Sequence, residues 1–387
     1  MINLSEPNIS NKEINLVAKV LKSKKLVDGY YQNNAEKLIK KIIKTKYVAL
    51  TQSCSDALEA ASILINLSYQ DEVLMPSFTF TSTANAVVMR GAKPVFVDIL
   101  QDLNLDLDDL EKKITKKTKA IFVVHYGGTC CDMQKLIKIK NKYKLILVED
   151  AAHAFLSKYK NKFLGTFGDI ATFSFHETKN FVGAQAGALL INNKKFINNA
   201  EIILDKGTDR KKIIKFNSKS LPTQRVKNRK VYTWKNVGSE FRATEISSAL
   251  VYAQILRRNN LQKKRAKIWN YYFKSLKNSS ELNYKILKPR KYIQSSFHNF
   301  VLITKTSKLA KELTYYLYKK KKIFAAFHYM PLHNSPFSKK ILKNKQKLPN
   351  TENIYNRILR IPLHSNLTNN DLVYITNSIK SFFKKKI

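Results

Sequence analysis

Residues 145–150 read LILVED: four apolar residues in a row, closed by two acids. A run without polar alternation predicts a strand buried on both faces, as in a parallel sheet covered by helices on either side. Six more runs of this kind lie at residues 47–51 (YVALT), 72–76 (EVLMP), 94–98 (PVFVD), 120–125 (AIFVVH), 169–175 (DIATFSF) and 187–192 (GALLIN). Helical patterns at 56–67, 83–90, 107–114 and 133–143 separate the first five strands in chain order. This alternation predicts a three-layer α/β domain around a mostly parallel, seven-stranded sheet.

After residue 192 the pattern changes. Residues 211–230 are basic, contain Ser and Asn and lack periodicity, which reads as a mobile surface loop or a solvated linker. A long helical pattern starts at 244 and breaks near Asn259; an apolar run at 299–304 (NFVLIT) and a helix at 309–319 follow. The 387 residues therefore divide into a large domain, 1–245, and a smaller α+β domain, 246–387, on which the N-terminal segment is free to pack.

A hydrophobic fraction of 44% excludes a disordered chain. No apolar run approaches the roughly 20 residues that span a bilayer, and MINLSEPNIS lacks a basic stretch followed by an apolar core. Three cysteines, two of them adjacent at Cys130 and Cys131, make no regular disulfide framework and fit a reducing compartment, so the expected location is the cytoplasm. The abnormal number is the charge, +42 from 70 Lys and Arg against 28 Asp and Glu. Such a balance suits a nucleic-acid or anionic-surface binder. Here the lysines are spread along the whole chain beside Asn and Ile, and no nucleic-acid module accompanies them.

The residues able to do chemistry follow or end the apolar runs, where open α/β sheets hold ligands. Lys179 lies in FSFHETKN, residues 173–180, where a buried strand gives way to a loop. Asp150 closes LILVED, and a carboxylate buried there needs a partner. A protonated pyridine nitrogen would serve, as in pyridoxal phosphate (PLP) chemistry, and so would a structural ion pair or a helix cap. Ser53, Cys54 and Ser55 stand between a strand and a helix starting near Asp56. Their hydroxyls and N–H groups suit a phosphate, and equally an ordinary N-cap. Ser174 adds a hydroxyl beside Lys179, and Phe80 suits either an aromatic ligand or the core. His125, Cys130 and Cys131 lack zinc-site spacing, and no metal is expected. There is no GxSxG, GxxxxGKS or GxGxxG, and Gly127 and Gly128 read as a turn.

The segments LTQSCSDALEAA, DEVLMPSFTFTSTANAVVMRGAKPVFVD, VHYGGTCCDM, VEDAAH, FSFHETKN, YTWKNVGS and FAAFHYMPLH span nearly the whole length, and together they resemble the DegT/DnrJ/EryC1/StrS family. These are PLP-dependent sugar aminotransferases of fold type I, the aspartate aminotransferase-like fold. The resemblance implies that Lys179 links covalently to PLP and then moves the proton, and that Asp150 pairs with the pyridine nitrogen. It implies that Phe80 stacks on the ring and that Ser53, Cys54, Ser55 and Ser174 hold the phosphate. His153 would bond the cofactor's phenolic oxygen, and Ser239 would reach the neighbouring subunit's cofactor in a homodimer. His328, Tyr329 and His333 would lie near the nucleotide sugar. Some relatives carry His in place of the lysine and are dehydratases, so Lys179 implies amino transfer. The implied reaction moves an amino group from glutamate to C4 of a dTDP-4-keto-6-deoxyhexose, giving dTDP-4-amino-4,6-dideoxygalactose for surface polysaccharide. Other nucleotide-linked keto sugars, carrying GDP or UDP and aminated at C3 or C4, remain alternatives. The chain departs from the family at residues 183–187, GAQAG, where Gly-Glu-Gly-Gly is usual; Ala there would be strained if the backbone needs positive φ.

Overall fold

The structure, a computed structural model, describes residues 1–210, 232–277, 284–342 and 346–384. The loop expected at 211–230 lies outside the described residues. Strands β1 (Tyr47–Thr51), β2 (Glu72–Pro76), β3 (Lys93–Val97), β4 (Thr118–Val124) and β5 (Ile146–Asp150) precede a small hairpin, β6 (Lys158–Tyr159) and β7 (Lys162–Phe163). β8 (Ile170–Ser174) and β9 (Gly187–Ile191) complete a seven-stranded sheet of order β1-β9-β8-β5-β4-β2-β3. It is parallel except for β9, which runs antiparallel to both its neighbours.

The apolar runs are explained by the two faces of this sheet, because successive side chains of a strand point to opposite sides. Leu50, Leu74, Val123, Leu147 and Phe173 face one core, together with α2 (Tyr30–Ile43), α5 (Leu107–Lys112) and α6 (Met133–Lys142). Ala49, Met75, Phe122, Val148 and Ile170 face the other, against α3 (Cys54–Leu64), α4 (Thr81–Val88) and α7 (Ile197–Ile203). Neither face is left to water, so neither alternate position is polar. Each fully buried Leu, Val or Phe contributes about 1.5–3 kcal/mol.

The expected long helix breaks near Asn259 as anticipated, into α8 (Glu245–Leu256) and α9 (Arg258–Leu276), separated at Arg257. Arg257 Nη1 meets Glu13 Oε1 at 2.7 Å, which ties the junction to α1 (Asn11–Ser23). Val251 and Ile255 of α8 pack in the first core of the large sheet, whereas Ile268, Trp269 and Tyr272 of α9 pack in a third core. That third core covers an antiparallel sheet of order β10-β12-β13, with β10 (Tyr284–Ile286), β12 (Phe300–Thr304) and β13 (Ile358–Ile361). β11 (Ile293–Gln294) instead joins the β6–β7 hairpin. Helices α10 (Ser307–Tyr315) and α11 (Asn369–Lys384) complete the smaller layer. The first residues lie across it: Ile2 pairs with Ile323, and Leu4 O accepts from Leu363 N. Among the described residues no helix is long and apolar enough to cross a membrane.

Candidate active site

A cavity of about 620 Å³ opens at the C-terminal ends of the parallel strands. Five of the six parallel strands deliver a polar residue as they end: Ser53 after β1, Thr79 after β2, His125 after β4, Asp150 on β5 and Ser174 on β8. Asp150 is only 5% exposed. Its Oδ2 accepts from Thr83 Oγ1 at 2.7 Å and its Oδ1 from Ala152 N at 3.2 Å. Neither donor carries charge, and no described cation lies at ion-pair distance. A buried carboxylate met only by neutral donors is an incomplete arrangement that a cationic ligand would complete.

Lys179 follows β8. Its N–H donates to His176 O at 2.8 Å, and Gly183 N donates to Phe175 O at 2.7 Å, folding the loop back with Phe181 buried. The residue is half-buried and lines the cavity, and its amine has no hydrogen-bond partner among the described residues. Desolvation, with the Arg360 charge acting in the same direction, lowers its pKa to about 8.

Ser53 caps α3, its Oγ accepting from Asp56 N at 3.1 Å, and the preceding N–H groups of that first turn have no carbonyl to meet. Ser55 Oγ lies 2.6 Å from Ser82 Oγ, and the Cys54 thiol donates to Thr172 Oγ1 at 3.5 Å; burial raises that thiol's pKa. Gly187 lets β9 approach this turn, since a Cβ there would stand about 2.5 Å from Cys54 N. Phe80 is 56% exposed on the cavity wall, its ring centroid 6.1 Å from that of Tyr329.

His153 accepts at Nδ1 from Gly127 N at 3.3 Å, which puts its proton on Nε2, 3.4 Å from the Tyr329 hydroxyl. Burial drives its pKa well below the usual range, so the ring is neutral. Gly127 and Gly128 are thus more than a turn. Both adopt positive φ, and a Cβ on Gly128 would strike Ser296. His125 also lines the cavity but is engaged elsewhere: its Nε2 lies 2.8 Å from Glu149 Oε2, and Glu149 further accepts from Gly165, Phe167 and Gly168.

The cavity brings together Ser53, Cys54, Ser55, Phe80, Asp150, His153, Ser174, Lys179, His328 and Tyr329. His333 lies outside its wall, with Nδ1 at 2.6 Å from Ser77 Oγ and Nε2 at 3.2 Å from Glu352. Ser239 is exposed on the outer surface and does not line it either. Among the lining residues that escape the sequence reading are Leu4, Ser5, His298 and Arg360. His298 stacks on His153 at 4.1 Å. The unaccompanied carboxylate, the partnerless amine and the open helix N-terminus match a pyridinium, an aldehyde and a phosphate, so these residues fit PLP.

The DegT/DnrJ/EryC1/StrS aminotransferase family profile matches residues 7–380. The GDP-perosamine synthase of Escherichia coli O157:H7 is 28% identical over 387 residues, covering 98% of each chain. The UDP-4-amino-4,6-dideoxy-N-acetyl-β-L-altrosamine transaminase of Campylobacter jejuni is 28% identical over 389 residues, covering 100% of this chain and 98% of the other. Among solved structures, Helicobacter pylori PseC, an aminotransferase involved in pseudoaminic acid biosynthesis, superposes with a TM-score of 0.89 at 26% identity over 99% of both chains. The chain therefore belongs to the DegT/DnrJ/EryC1/StrS aminotransferase family, and pyridoxal 5′-phosphate is its cofactor.

Proposed function

We propose that this chain transfers an amino group from glutamate to C4 of a nucleotide-linked 4-keto-6-deoxyhexose. With the dTDP sugar the product is dTDP-4-amino-4,6-dideoxygalactose, a precursor of surface polysaccharide. The observation that carries the reading is the pairing, in one cavity, of the cationless Asp150 carboxylate with the partnerless Lys179 amine. A second reading, the same chemistry on a GDP or UDP sugar, is favoured by the names of the two relatives above.

When bound, PLP supplies an electron sink for the carbon that carries the transferred nitrogen. Asp150 holds the ring nitrogen protonated. Lys179 Nζ, with a pKa of about 8, is neutral often enough near neutral pH to take a proton from the donor's α-carbon and deliver one at the sugar carbon. His153 Nε2–H is the donor for the phenolic oxygen. Ser53, Cys54, Ser55 and Ser174 seat the phosphate, and Phe80 covers the ring. His328 and Tyr329 border the sugar, and His333 acts from behind this wall. Residues 1–245 form the cofactor-binding unit and 246–387 the smaller unit that closes the cavity.

The enzyme acts in the cytoplasm as a homodimer, with Ser239 reaching the second subunit's cofactor. The exposure of Tyr232, Trp234 and Val237 beside Ser239 supports such an interface. Incubation with glutamate and dTDP-, GDP- and UDP-linked 4-keto-6-deoxyhexoses, with products read by mass and NMR, tests the reading. The dTDP sugar is expected to be aminated at C4. Turnover confined to a GDP or UDP sugar would select the second reading.

A further inference from the structure

Arg360 is a cation of the cavity that no described carboxylate meets. β13 holds its backbone rigidly, opposite Val301 of β12 on one side and bonded to Ala326 on the other. The half-buried side chain lines the cavity. Arg242, Arg257 and Arg290 each meet a carboxylate; Arg360 meets none among the described residues, and its buried Nε–H has no partner. Its one side-chain bond among the described residues runs from Nη1 to His328 Nδ1, at 2.5 Å. A guanidinium only donates, so His328 accepts at Nδ1 and carries its proton on Nε2. Burial and the Arg360 charge hold His328 down near a pKa of about 4, so the ring is neutral and cancels no charge.

The cavity thus presents a fixed cation with donors to spare. Lys179, His153 and Tyr329 line the same cavity, and the Arg360 charge acts on all three. In an α-amino acid, a carboxylate sits on the very carbon that bears the amino group. In a nucleotide sugar, the diphosphate hangs from C1, three ring bonds from C4. We propose that Arg360 binds the carboxylate on the amino-bearing carbon of the donor, and that His328 is a positioning residue that aims the guanidinium. The proposal rests on the reading under Proposed function and adds the donor's recognition site.

The test separates the two halves of the reaction in the PLP-loaded enzyme, by following the cofactor's absorbance with glutamate alone and then the return step with keto sugar alone. Charge-assisted hydrogen bonds of this kind are lost at about 10- to 150-fold each. Arg360→Met should raise the glutamate concentration for half-maximal amination at least ~30-fold, with Arg360→Lys between it and wild type. Alanine, used as a slower donor, should lose by the same factor, while the sugar half-reaction changes by less than ~3-fold. His328→Ala should weaken donor binding without abolishing it. An unchanged donor half-reaction, a loss confined to glutamate, or an equal loss with the keto sugar would each overturn the assignment. A wild-type enzyme that performs neither half-reaction would instead sink the functional reading itself.

Discussion

In the proposed reaction Lys179 has two duties, attack on a carbonyl and proton transfer, that depend on one pKa. Its amine must be neutral to attack a carbonyl, and burial supplies that by lowering the pKa to about 8. The same burial leaves a mark on stability. An unfolded lysine titrates near 10.5, so between about pH 8 and that value the unfolded chain binds a proton that the folded cofactor-free protein does not. Stability contributed by this residue therefore rises with pH across that window and is flat below it. Urea midpoints of the cofactor-free wild type and Lys179→Met, measured from pH 7 to 10.5, should diverge in that sense; parallel curves would show that Lys179 is not desolvated. The placement of Lys179, Asp150 and the Ser53–Ser55 turn was legible because each ends or follows an apolar run. Arg360 was not, since one arginine among 70 cations carries no local mark.

Strands were the most legible elements, because burial on both faces writes an unbroken apolar run. β1 and β2 match the expected ranges, and the other five differ by one or two residues at one or both ends. The hairpin strands β6 and β7 have only two residues each, too few for any periodicity to register. Helices α1 and α2 face water on one side with lysines and passed unread. The loop at 183–187 shows the reverse, a departure visible in sequence whose cost only the backbone locates. Ala184 adopts φ +60°, and its neighbour Ala186 does not. A side chain in that region costs about 1–2 kcal/mol, against the 0.5–1 kcal/mol of chain freedom that glycine surrenders. Ala184 is exposed, so its methyl packs little. Ala184→Gly should stabilise the protein by about 0.5–1 kcal/mol, seen as a higher urea midpoint at unchanged slope, whereas Ala186→Gly should not.

At the scale of the whole molecule, the charge of +42 was the least informative number: it is distributed, and the site it surrounds turns on one carboxylate, Asp150, a set of hydroxyls, and two cations, Lys179 and Arg360. The proposed homodimer is expected to give a solution mass of two chains by light scattering at low and high salt alike, because apolar side chains rather than ion pairs would hold it; Trp234→Asp should shift it toward monomer. The pairing of Ile2 with Ile323 and of Leu4 with Leu363 has a consequence for how the protein is born. Ile2 and Leu4 leave the ribosome more than 300 positions ahead of the partners they wait for, and Leu4 and Ser5 are themselves cavity wall. The central sheet is free to form during synthesis, but the catalytic chamber is finished only when β13 and the residues after it have emerged, so a chain truncated shortly before β13 would be folded in part and blind to substrate.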